Sequence, residues 1–523
     1  MWNATRWYLP AILLGIYPVV TVIGANLGVV PLTPSIVARS LAFSAGVVVV
    51  ILIGLRMVQR DLARRASWLA WLLLLLAFYS AVVLLAERLG YVNVYAGDPG
   101  FAATYGLVAA AIATAVSRPW KTHAREPKAF LLVAVGLVLV TLAPGLVAAA
   151  RGRAAAWRPA ADAVIAGSLS EAPRGAVAPE RDIYYVVVDG LGRRDVVEEF
   201  YEVDLAPFAD DLTARGFYVA ERARANYAQT FLSLASALNM TYLDAIAAEV
   251  GVSAEGRQPL MYLIQQNALM RAASRAGYRV IAVGSDYMAT ERFARADMCL
   301  CSQHGLDDFE LAALELTPLA ALPAGWLRED SYDAHRRKVT DSFAGLEQSA
   351  ALAGPKFVFA HLMVPHPPFV FAADGAPRHP RGGMFGDGDG FPGSRAEYVA
   401  GYRDQVQFVT ARLAAVVDAV LRAPGPRPVI VIHADHGPGS RLVWNDPRRT
   451  SMRERFGIFA AFYFPDGPAG LYPAITPVNA TRVLASRYLH ANLAVLPDMS
   501  FFSTWNRPYN FLRVPADDPP RSD

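Results

Sequence analysis

The sequence predicts a protein of two parts: an N-terminal all-α transmembrane domain of five helices, and an α/β domain with a mainly parallel central sheet and helices on both faces. Before residue 150 the apolar segments approach the roughly 20 residues of a membrane span, whereas later apolar runs are short and alternate with helical patterns. Charge divides in the same way, because residues 1–155 carry a net charge of +9 and the remainder carries −6.

The composition excludes several classes of protein. Hydrophobic residues make up 54% of the 523 residues and charged residues 18%, which excludes a disordered chain, and two cysteines are too few for a disulfide scaffold. We predict a transmembrane domain, a linker, an outer domain and a C-terminal tail. Their predicted bounds are residues 1–150, 151–181, 182–510 and 511–523.

The five predicted spans carry no charged residue in their central stretches. A helix at the surface of a soluble bundle would show a polar stripe, and these segments do not. The spans are residues 8–29, 36–57, 68–87, 100–117 and 129–150.

Basic residues collect in the loops after the second and fourth spans, at Arg56–Arg65 and Arg118–Lys128. Positive loops stay in the cytoplasm, so the N-terminus is predicted inside and the domain after residue 150 outside. Only four of the 49 basic residues are lysine, which favours a GC-rich bacterial genome and hence the bacterial inner membrane. This charge sets the topology, so we expect no nucleic-acid partner.

The domain after the spans has continuous apolar, β-rich runs, as expected of strands buried on both faces. Helical patterns lie between these runs, and this alternation predicts a mainly parallel sheet. The predicted strands are residues 182–188, 278–283, 356–362, 428–433 and 458–464. The predicted helices are residues 204–215, 230–247, 259–276, 397–422 and 477–491. A loop rich in Gly, Pro and Asp at 373–394 is expected to be mobile or to line a site.

Several polar side chains come at the ends of the predicted strands, where open α/β sheets bind their ligands. Asp189 follows the first strand, His361 and His366 fall in or just after the third, and Asp435-His436-Gly437 follows the fourth. Carboxylate and imidazole groups side by side can ligate a metal.

In this order, a strand ending in Asp, the segment AHLMVPHPPF and a strand ending in DHG resemble the alkaline phosphatase/sulfatase superfamily. The five preceding spans resemble its membrane-anchored lipoteichoic-acid synthase-like branch, which includes phosphoglycerol and phosphoethanolamine transferases. The resemblance implies an alkaline phosphatase-like fold over about residues 182–505.

The superfamily has a nucleophile at a helix N-terminus, and Thr230 in NYAQTFLSLASALN fits this position. The alternative is that Thr230 is only a helix N-cap. Sulfatases of the superfamily carry a C/S-x-P-S-R motif, whereas this chain has TFLSL, so sulfate ester hydrolysis is disfavoured.

The resemblance implies one divalent metal ion, held by Asp189, Thr230, Asp435 and His436. Three oxygen ligands and one nitrogen favour Mn²⁺, and Mg²⁺ or Zn²⁺ also suit this set. No second set of one Asp and two His is evident, so we expect a single metal.

Four further residues are candidates for binding the substrate. By resemblance His366 contacts the substrate and exchanges a proton, unless it is a solvent-exposed loop residue. Asn226 would donate to a phosphoryl oxygen or form a turn, and Arg292 would offset phosphate charge. His361 is expected either to support the site or to pack in the core.

These features predict an enzyme, a sulfatase-like phosphotransferase that moves a phospholipid head group to a glycan or lipid acceptor through a phosphothreonine intermediate. Phosphoglycerol is the first choice of head group and phosphoethanolamine the second. The chain departs from lipoteichoic-acid synthases by having Asp189 where they have Glu, and from phosphoethanolamine transferases by its few cysteines. The oligomeric state is left open.

Two alternatives remain at this stage. A phosphodiesterase or phosphatase would use the same site with water as the acceptor. A receptor or scaffold would have an inactive outer domain, although all four candidate metal ligands are present. For Cys299 and Cys301, a local disulfide and two free thiols are equally compatible with the sequence.

Overall fold

A computed structural model gives the fold of most of the chain. Contacts between residues divide it into two compact units, which are described separately. The first unit comprises Met1–Ala155 and His304–Asp330, and the second comprises Ala156–Gln303 and Ser331–Asp523. The residues described are 2–26, 34–58, 62–88, 99–117, 126–153, 156–169, 179–293, 295–301, 308–321, 331–380 and 386–516.

Helices form the first unit throughout its described residues. Those before residue 155 are α1 (Trp2–Gly15), α2 (Tyr17–Asn26), α3 (Pro34–Val58), α4 (Leu62–Arg88), α5 (Pro99–Ser117) and α6 (Glu126–Arg153). Among the described residues one stretch, Val37–Met57, is long and apolar enough to cross a membrane. Shorter apolar stretches are Trp68–Tyr79, Gly100–Ala109 and Leu131–Ala143. Five membrane spans therefore remain a prediction.

The first predicted span, residues 8–29, is divided into two helices at Ile16. Pro18 lies at the start of α2 and has no N–H with which to continue the hydrogen bonding of α1. Gly24 lets α2 approach α6 closely, since a Cβ there would lie 2.7 Å from the carbonyl oxygen of Thr141.

A seven-stranded sheet forms the centre of the second unit, in the order β2-β7-β6-β1-β5-β3-β4. The strands β1, β3, β4, β5 and β6 are parallel, and β7 is antiparallel to β6 and β2. The strands of this sheet are β1 (Ile183–Val188), β2 (Tyr218–Val219), β3 (Arg279–Val283), β4 (Met298–Leu300), β5 (Lys356–Leu362), β6 (Val429–His433) and β7 (Ala460–Tyr463). A separate hairpin follows, of β8 (Ser500–Phe502) and β9 (Leu512–Val514). The mainly parallel sheet predicted from the sequence is confirmed.

The register of the central strands brings polar residues together at the carboxyl ends of the parallel strands. In the central strand β1, Val187 pairs with His361 of β5 on one side and with His433 of β6 on the other. All six residues of β1 are buried, as the sequence predicted for a strand covered on both faces. The chain beyond β1 and β6 therefore emerges at the same edge, beside His361.

The remaining helices comprise those that cover the sheet and one that belongs to the first unit. They are α7 (Trp157–Gly167), α8 (Arg194–Tyr201), α9 (Ala206–Ala214), α10 (Thr230–Leu238), α11 (Asp244–Val250), α12 (Gln258–Gln265), α13 (Ala268–Arg275), α14 (Asp308–Glu315), α15 (Ser331–Ala350), α16 (Arg395–Arg422), α17 (Met452–Phe456) and α18 (Pro477–Tyr488). The helix α7 falls within the predicted linker, yet its Ala161 and Ile165 are buried in the core of the second unit.

The predicted helix 230–247 is two helices in the structure, α10 and α11. Asn239 ends α10, and its side-chain amide donates to the carbonyl oxygens of Ala235 and Leu263 at 2.8 and 3.0 Å. The next residue, Met240, has a φ of 56°, which a continuous helix cannot accommodate.

The helix α14 lies in the sequence of the predicted outer domain but packs within the first unit. Ala313 of α14 is buried with Val19 and Val22 of α2. Glu310 accepts a hydrogen bond from Arg39 of α3 at 2.9 Å. In the second unit, Cys299 and Cys301 are joined as a disulfide.

Candidate active site and metal centre

Four polar side chains meet at the carboxyl edge of the sheet. Asp189 follows β1, His361 lies in β5, and Asp435 and His436 follow β6. The Nε2 atom of His361 lies 3.3 Å from Oδ2 of Asp189. The Nε2 atom of His436 lies 3.5 Å from Oδ1 of Asp189 and 3.2 Å from Oδ2 of Asp435. All four side chains are buried.

The group of potential metal ligands in the structure differs from the set predicted from the sequence: it contains the predicted Asp189 and Asp435 together with His361, and it does not include His436. Ligand atoms of Asp189, His361 and Asp435 all lie within 4.8 Å of one another. The sequence predicts that His361 supports the site, binds the substrate or packs in the core, whereas in the structure its ligand atom lies with those of Asp189 and Asp435. Its Nδ1 is hydrogen-bonded to the hydroxyl of Thr290 at 2.9 Å, which orients Nε2 toward Asp189.

The buried atoms of this group suit a divalent cation. Both carboxylate oxygens of Asp189, Oδ2 of Asp435 and Nε2 of His361 are buried and have no hydrogen-bond partner among the described residues. Oδ1 of Asp435 accepts from the N–H of Gly190 at 3.2 Å, but buried carboxylate oxygens without partners are unfavourable, and a cation would satisfy their lone pairs. Oxygen and nitrogen ligands of this kind suit Mn²⁺, Mg²⁺ or Zn²⁺.

Electrostatics favour the ligating forms of these side chains. Burial raises the pKa of Asp189, but the combined lowering by His366, His361 and His436 is larger. The pKa of Asp189 therefore lies below its usual range. Burial and the nearby charge of Arg455 lower the pKa of His436. Its imidazole is therefore held in the neutral form, which ligates metals.

Thr230 is the first residue of α10, and its hydroxyl faces the metal-binding group. Its Oγ1 lies 3.0 Å from Nε2 of His436. The N-cap position is taken by Gln229, with φ −118° and ψ 136°, so the interpretation of Thr230 as an N-cap is not supported. The free N–H groups of the first turn of α10 can stabilise an anion beside this hydroxyl.

Asn226 does not take the substrate-binding place that we expected for it. Its Nδ2 donates to the carbonyl oxygen of Met499 at 2.9 Å, and its Oδ1 accepts from the N–H of Val478 at 3.0 Å. The side-chain amide is buried, and both its nitrogen and its oxygen are hydrogen-bonded to backbone groups. Asn226 therefore holds the loop before α10 in place, and the correction follows from contacts distant in sequence.

His366 borders the site from the loop after β5. Its ring centre lies 6.3 Å from that of His436, and its backbone N–H donates to the carbonyl oxygen of Asp189 at 3.2 Å. Its Nδ1 is hydrogen-bonded to the carbonyl oxygen of Pro367 at 2.6 Å, which leaves Nε2 turned toward Asp387, 3.9 Å from Oδ2. His366 thus lies next to His436 and Asp387, and its contact with a substrate stays a prediction.

The phosphate-binding role expected for Arg292 stays a prediction. Arg292 is half-buried in the loop after β3, and its carbonyl oxygen accepts from Gln265 Nε2 at 2.9 Å.

Sequence reasoning missed a buried ion pair beside the site. Nη1 of Arg455 donates to Oδ2 of Asp387 at 2.7 Å and to the carbonyl oxygen of Gly437 at 3.0 Å, and Nε donates to that of Ala228 at 2.9 Å. Arg455 is 1% exposed. It therefore joins the loop before Thr230 to the loop after Asp435 and His436. Asp387 lies in the Gly/Asp-rich loop 373–394, which was the signal available in the sequence.

Comparisons with known proteins give no match to a family model or to a curated protein. Among solved structures, the chain is similar to the C-terminal periplasmic domain of EcEptC from Escherichia coli, with 13% identity, a TM-score of 0.41, and coverage of 65% of this chain and 94% of that one. It is similar to the soluble domain of lipooligosaccharide phosphoethanolamine transferase A from Neisseria meningitidis, with 14% identity, a TM-score of 0.36, and coverage of 60% and 89%.

A third similar structure is a protein in the alkaline phosphatase superfamily from Vibrio parahaemolyticus, with 12% identity, a TM-score of 0.36, and coverage of 66% of this chain and 81% of that one.

Proposed function

We propose that the protein is a membrane-anchored, metal-dependent phosphotransferase that moves a phospholipid head group to a glycan or lipid acceptor. One observation carries this proposal: a threonine hydroxyl at a helix N-terminus lies 3.0 Å from His436, beside two buried carboxylates with unpaired oxygens. A hydroxyl, a cation site and the start of a helix are the groups that phosphoryl transfer requires.

One divalent metal, with Mn²⁺ as first choice and Mg²⁺ or Zn²⁺ as alternatives, would be held by Asp189, Asp435, His436 and Thr230, joined by His361. When bound, it would stabilise negative charge on the threonine and phosphoryl oxygens. The N–H groups at the start of α10 add donors for the same charge.

In the first step, Oγ1 of Thr230 bonds to the phosphorus of the head group, and the bond to the diacylglycerol oxygen breaks. The threonine proton ends on that oxygen, and diacylglycerol leaves. An acceptor hydroxyl then bonds to phosphorus, the Thr230–phosphorus bond breaks, and the acceptor proton returns to Thr230. His366 is the proposed carrier of the proton in both steps.

The chain's apolar surface supports a membrane anchor. Most of the large apolar side chains that are exposed belong to helices α1, α3, α4, α5 and α6, including Val50 at 68%, Met57 at 86% and Leu107 at 74%. Such a surface suits hydrocarbon rather than water. We propose five spans in the bacterial inner membrane with the second unit outside, where anchoring keeps the site close to a lipid donor.

The decisive experiment incubates the purified full-length protein with phosphatidylglycerol labelled in the head group and with candidate glycan acceptors, in the presence of Mn²⁺. The proposal expects labelled acceptor and unlabelled diacylglycerol, and EDTA should abolish both. Free glycerol phosphate without labelled acceptor would favour the hydrolase. Absence of any lipid turnover, with every metal tested, would refute both the transferase and the hydrolase function.

A further inference from the structure

Two tryptophans from different loops pack against each other. The rings of Trp444, after β6, and Trp505, between β8 and β9, lie 5.1 Å apart at an angle of 63°. The N–H of Trp505 donates to the carbonyl oxygen of Trp444 at 3.2 Å, and Nε1 of Trp444 donates to that of Asp387 at 2.8 Å. Despite these contacts Trp505 remains 45% exposed. A fixed, exposed indole of this kind is common where proteins bind ligands.

Arg257 completes this surface. Its guanidinium carbon lies 4.1 Å from the ring centre of Trp505. Nη2 donates to the carbonyl oxygen of Trp505 at 2.8 Å and to Oε1 of Gln229 at 3.2 Å. Nη1 donates to the backbone carbonyl oxygen of Glu255 at 3.2 Å. The charge is therefore held flat against the indole and cannot swing freely into solvent.

The surface connects directly to the start of α10. Gln229 precedes Thr230, and its Nε2 donates to the carbonyl oxygens of Ser503 and Thr504, which lead into Trp505. These hydrogen bonds join the loop that carries Trp505 to the residue that precedes Thr230. Arg455 lies on the side of Trp444, with its guanidinium carbon 5.1 Å from that ring centre.

On the basis of the proposed function, we propose that Trp505 and Arg257 form the acceptor subsite and that the acceptor is a sugar carrying a phosphate or carboxylate group. The indole offers a flat apolar face to the C–H side of a sugar ring, and the guanidinium pairs with an anionic substituent. The two arginines next to the tryptophans make a cationic ligand unfavourable here.

The test is direct binding of glucose 6-phosphate to the full-length, Mg²⁺-loaded protein in a sugar-free detergent, measured by saturation-transfer difference NMR. Wild-type protein should saturate the ring protons of the sugar. Trp505→Ala should weaken this binding about tenfold, equivalent to about 1.4 kcal/mol, and Trp505→Tyr should retain most of it. Arg257→Gln should weaken the binding of glucose 6-phosphate but not that of uncharged glucose.

Matched controls keep the test specific. Val495→Ala removes a side chain that is 52% exposed elsewhere, and Arg422→Gln removes a guanidinium whose side chain is 76% exposed, so neither should change binding. Glycerol 3-phosphate has the phosphate without the ring, and its binding should be unaffected by Trp505→Ala. Trp505→Tyr keeps an aromatic ring at this position, so its binding can be measured even if the alanine variant does not fold.

Undiminished binding of the sugar phosphate to Trp505→Ala would overturn the inference, as would an equal loss of glycerol 3-phosphate binding. Displacement of the sugar by dioctanoylglycerol would assign the surface to a lipid acceptor and overturn it as well. The proposed function has a separate test. If wild-type protein binds the sugar in a way that depends on Trp505 but does not turn over phosphatidylglycerol, the proposed function fails while the binding site stands.

Discussion

The hydroxyl of Thr230 lies 3.0 Å from Nε2 of His436, although the two residues are 206 positions apart in the chain. One begins helix α10 and the other follows strand β6. Their proximity places a potential nucleophile at the helix end where anions bind, beside the carboxylates of Asp189 and Asp435.

Replacing the nucleophile should abolish turnover without unfolding the protein. Thr230→Ala removes the atom that bonds to phosphorus, and losses of nucleophiles typically cost on the order of 10⁴-fold or more in kcat. Thr230→Ser keeps a hydroxyl and should retain measurable turnover. Lipid turnover and thermal unfolding are measured for both variants. Wild-type activity in Thr230→Ala would refute the phosphothreonine intermediate.

Thr290 should affect metal binding without touching the metal. Thr290→Val keeps the shape of the side chain but removes the 2.9 Å hydrogen bond to Nδ1 of His361. Outer hydrogen bonds to metal-ligating histidines are typically worth about 10–100-fold in metal affinity, and we expect a loss of this size in Mn²⁺ titrations. Thr410→Val, a buried threonine that bonds only within helix α16, is the control. Equal affinity in both variants would remove His361 from the metal-binding group.

The buried pair of Asp387 and Arg455 should contribute strongly to stability. Asp387→Asn leaves the guanidinium buried without its counter-charge, which typically costs about 3–5 kcal/mol in the free energy of unfolding. Asp374→Asn changes an exposed carboxylate in the same loop and should have little effect. Thermal unfolding of the detergent-solubilised protein measures the difference. A cost no larger than that of Asp374→Asn would show that the pair does not fix the loop.

The same pair predicts a dependence on pH. Burial raises the pKa of Asp387, but the combined lowering by Arg455, His366 and His436 is larger. The pKa of Asp387 in the folded state therefore lies below the unfolded value. The stabilisation is therefore complete above about pH 4, the ordinary carboxyl pKa, and is lost as the pH falls below it. In Asp387→Asn the free energy of unfolding should fall less as the pH is lowered below about 4. A dependence of unfolding on pH equal to that of the wild-type protein would contradict this prediction.

Membrane topology is testable by reporter fusions. Fused after Arg65, in a basic loop predicted to face the cytoplasm, an alkaline phosphatase reporter should be inactive, because that enzyme folds only where its disulfides form. Fused at the C-terminus, the same reporter should be active, and a fluorescent reporter that requires the cytoplasm should show the reverse pattern. Equal reporter activity at the two positions would contradict five spans with the second unit outside.

Much of the second unit could be predicted from the sequence, because buried parallel strands are encoded locally as apolar runs. The predicted strand 356–362 coincides with β5, and 182–188 and 428–433 differ from β1 and β6 by one residue each. Strand ends then indicated Asp189, Asp435 and His436, since parallel strands deliver their next residues to one edge.

Other features depend on contacts between distant segments and left no local pattern. The roles of Asn226 and Arg455 come from backbone carbonyl groups far away in sequence, and no periodicity reveals such partners. Helix α14 lies among segments of the second unit, yet its apolar side packs with α2. His361 was ambiguous because a histidine in a buried strand has the same sequence signature whether it packs or ligates.

The pairing of β1 with β5 has a further consequence. Val187 lies opposite His361, and side chains alternate between the two faces of a strand. A shift of β5 by a single position would turn His361 to the other face of the sheet, away from Asp189, while an equally apolar neighbour took its place. Hydrophobicity alone barely distinguishes these two alignments in a strand buried on both sides, so a misaligned protein could be compact and stable but unable to bind its metal.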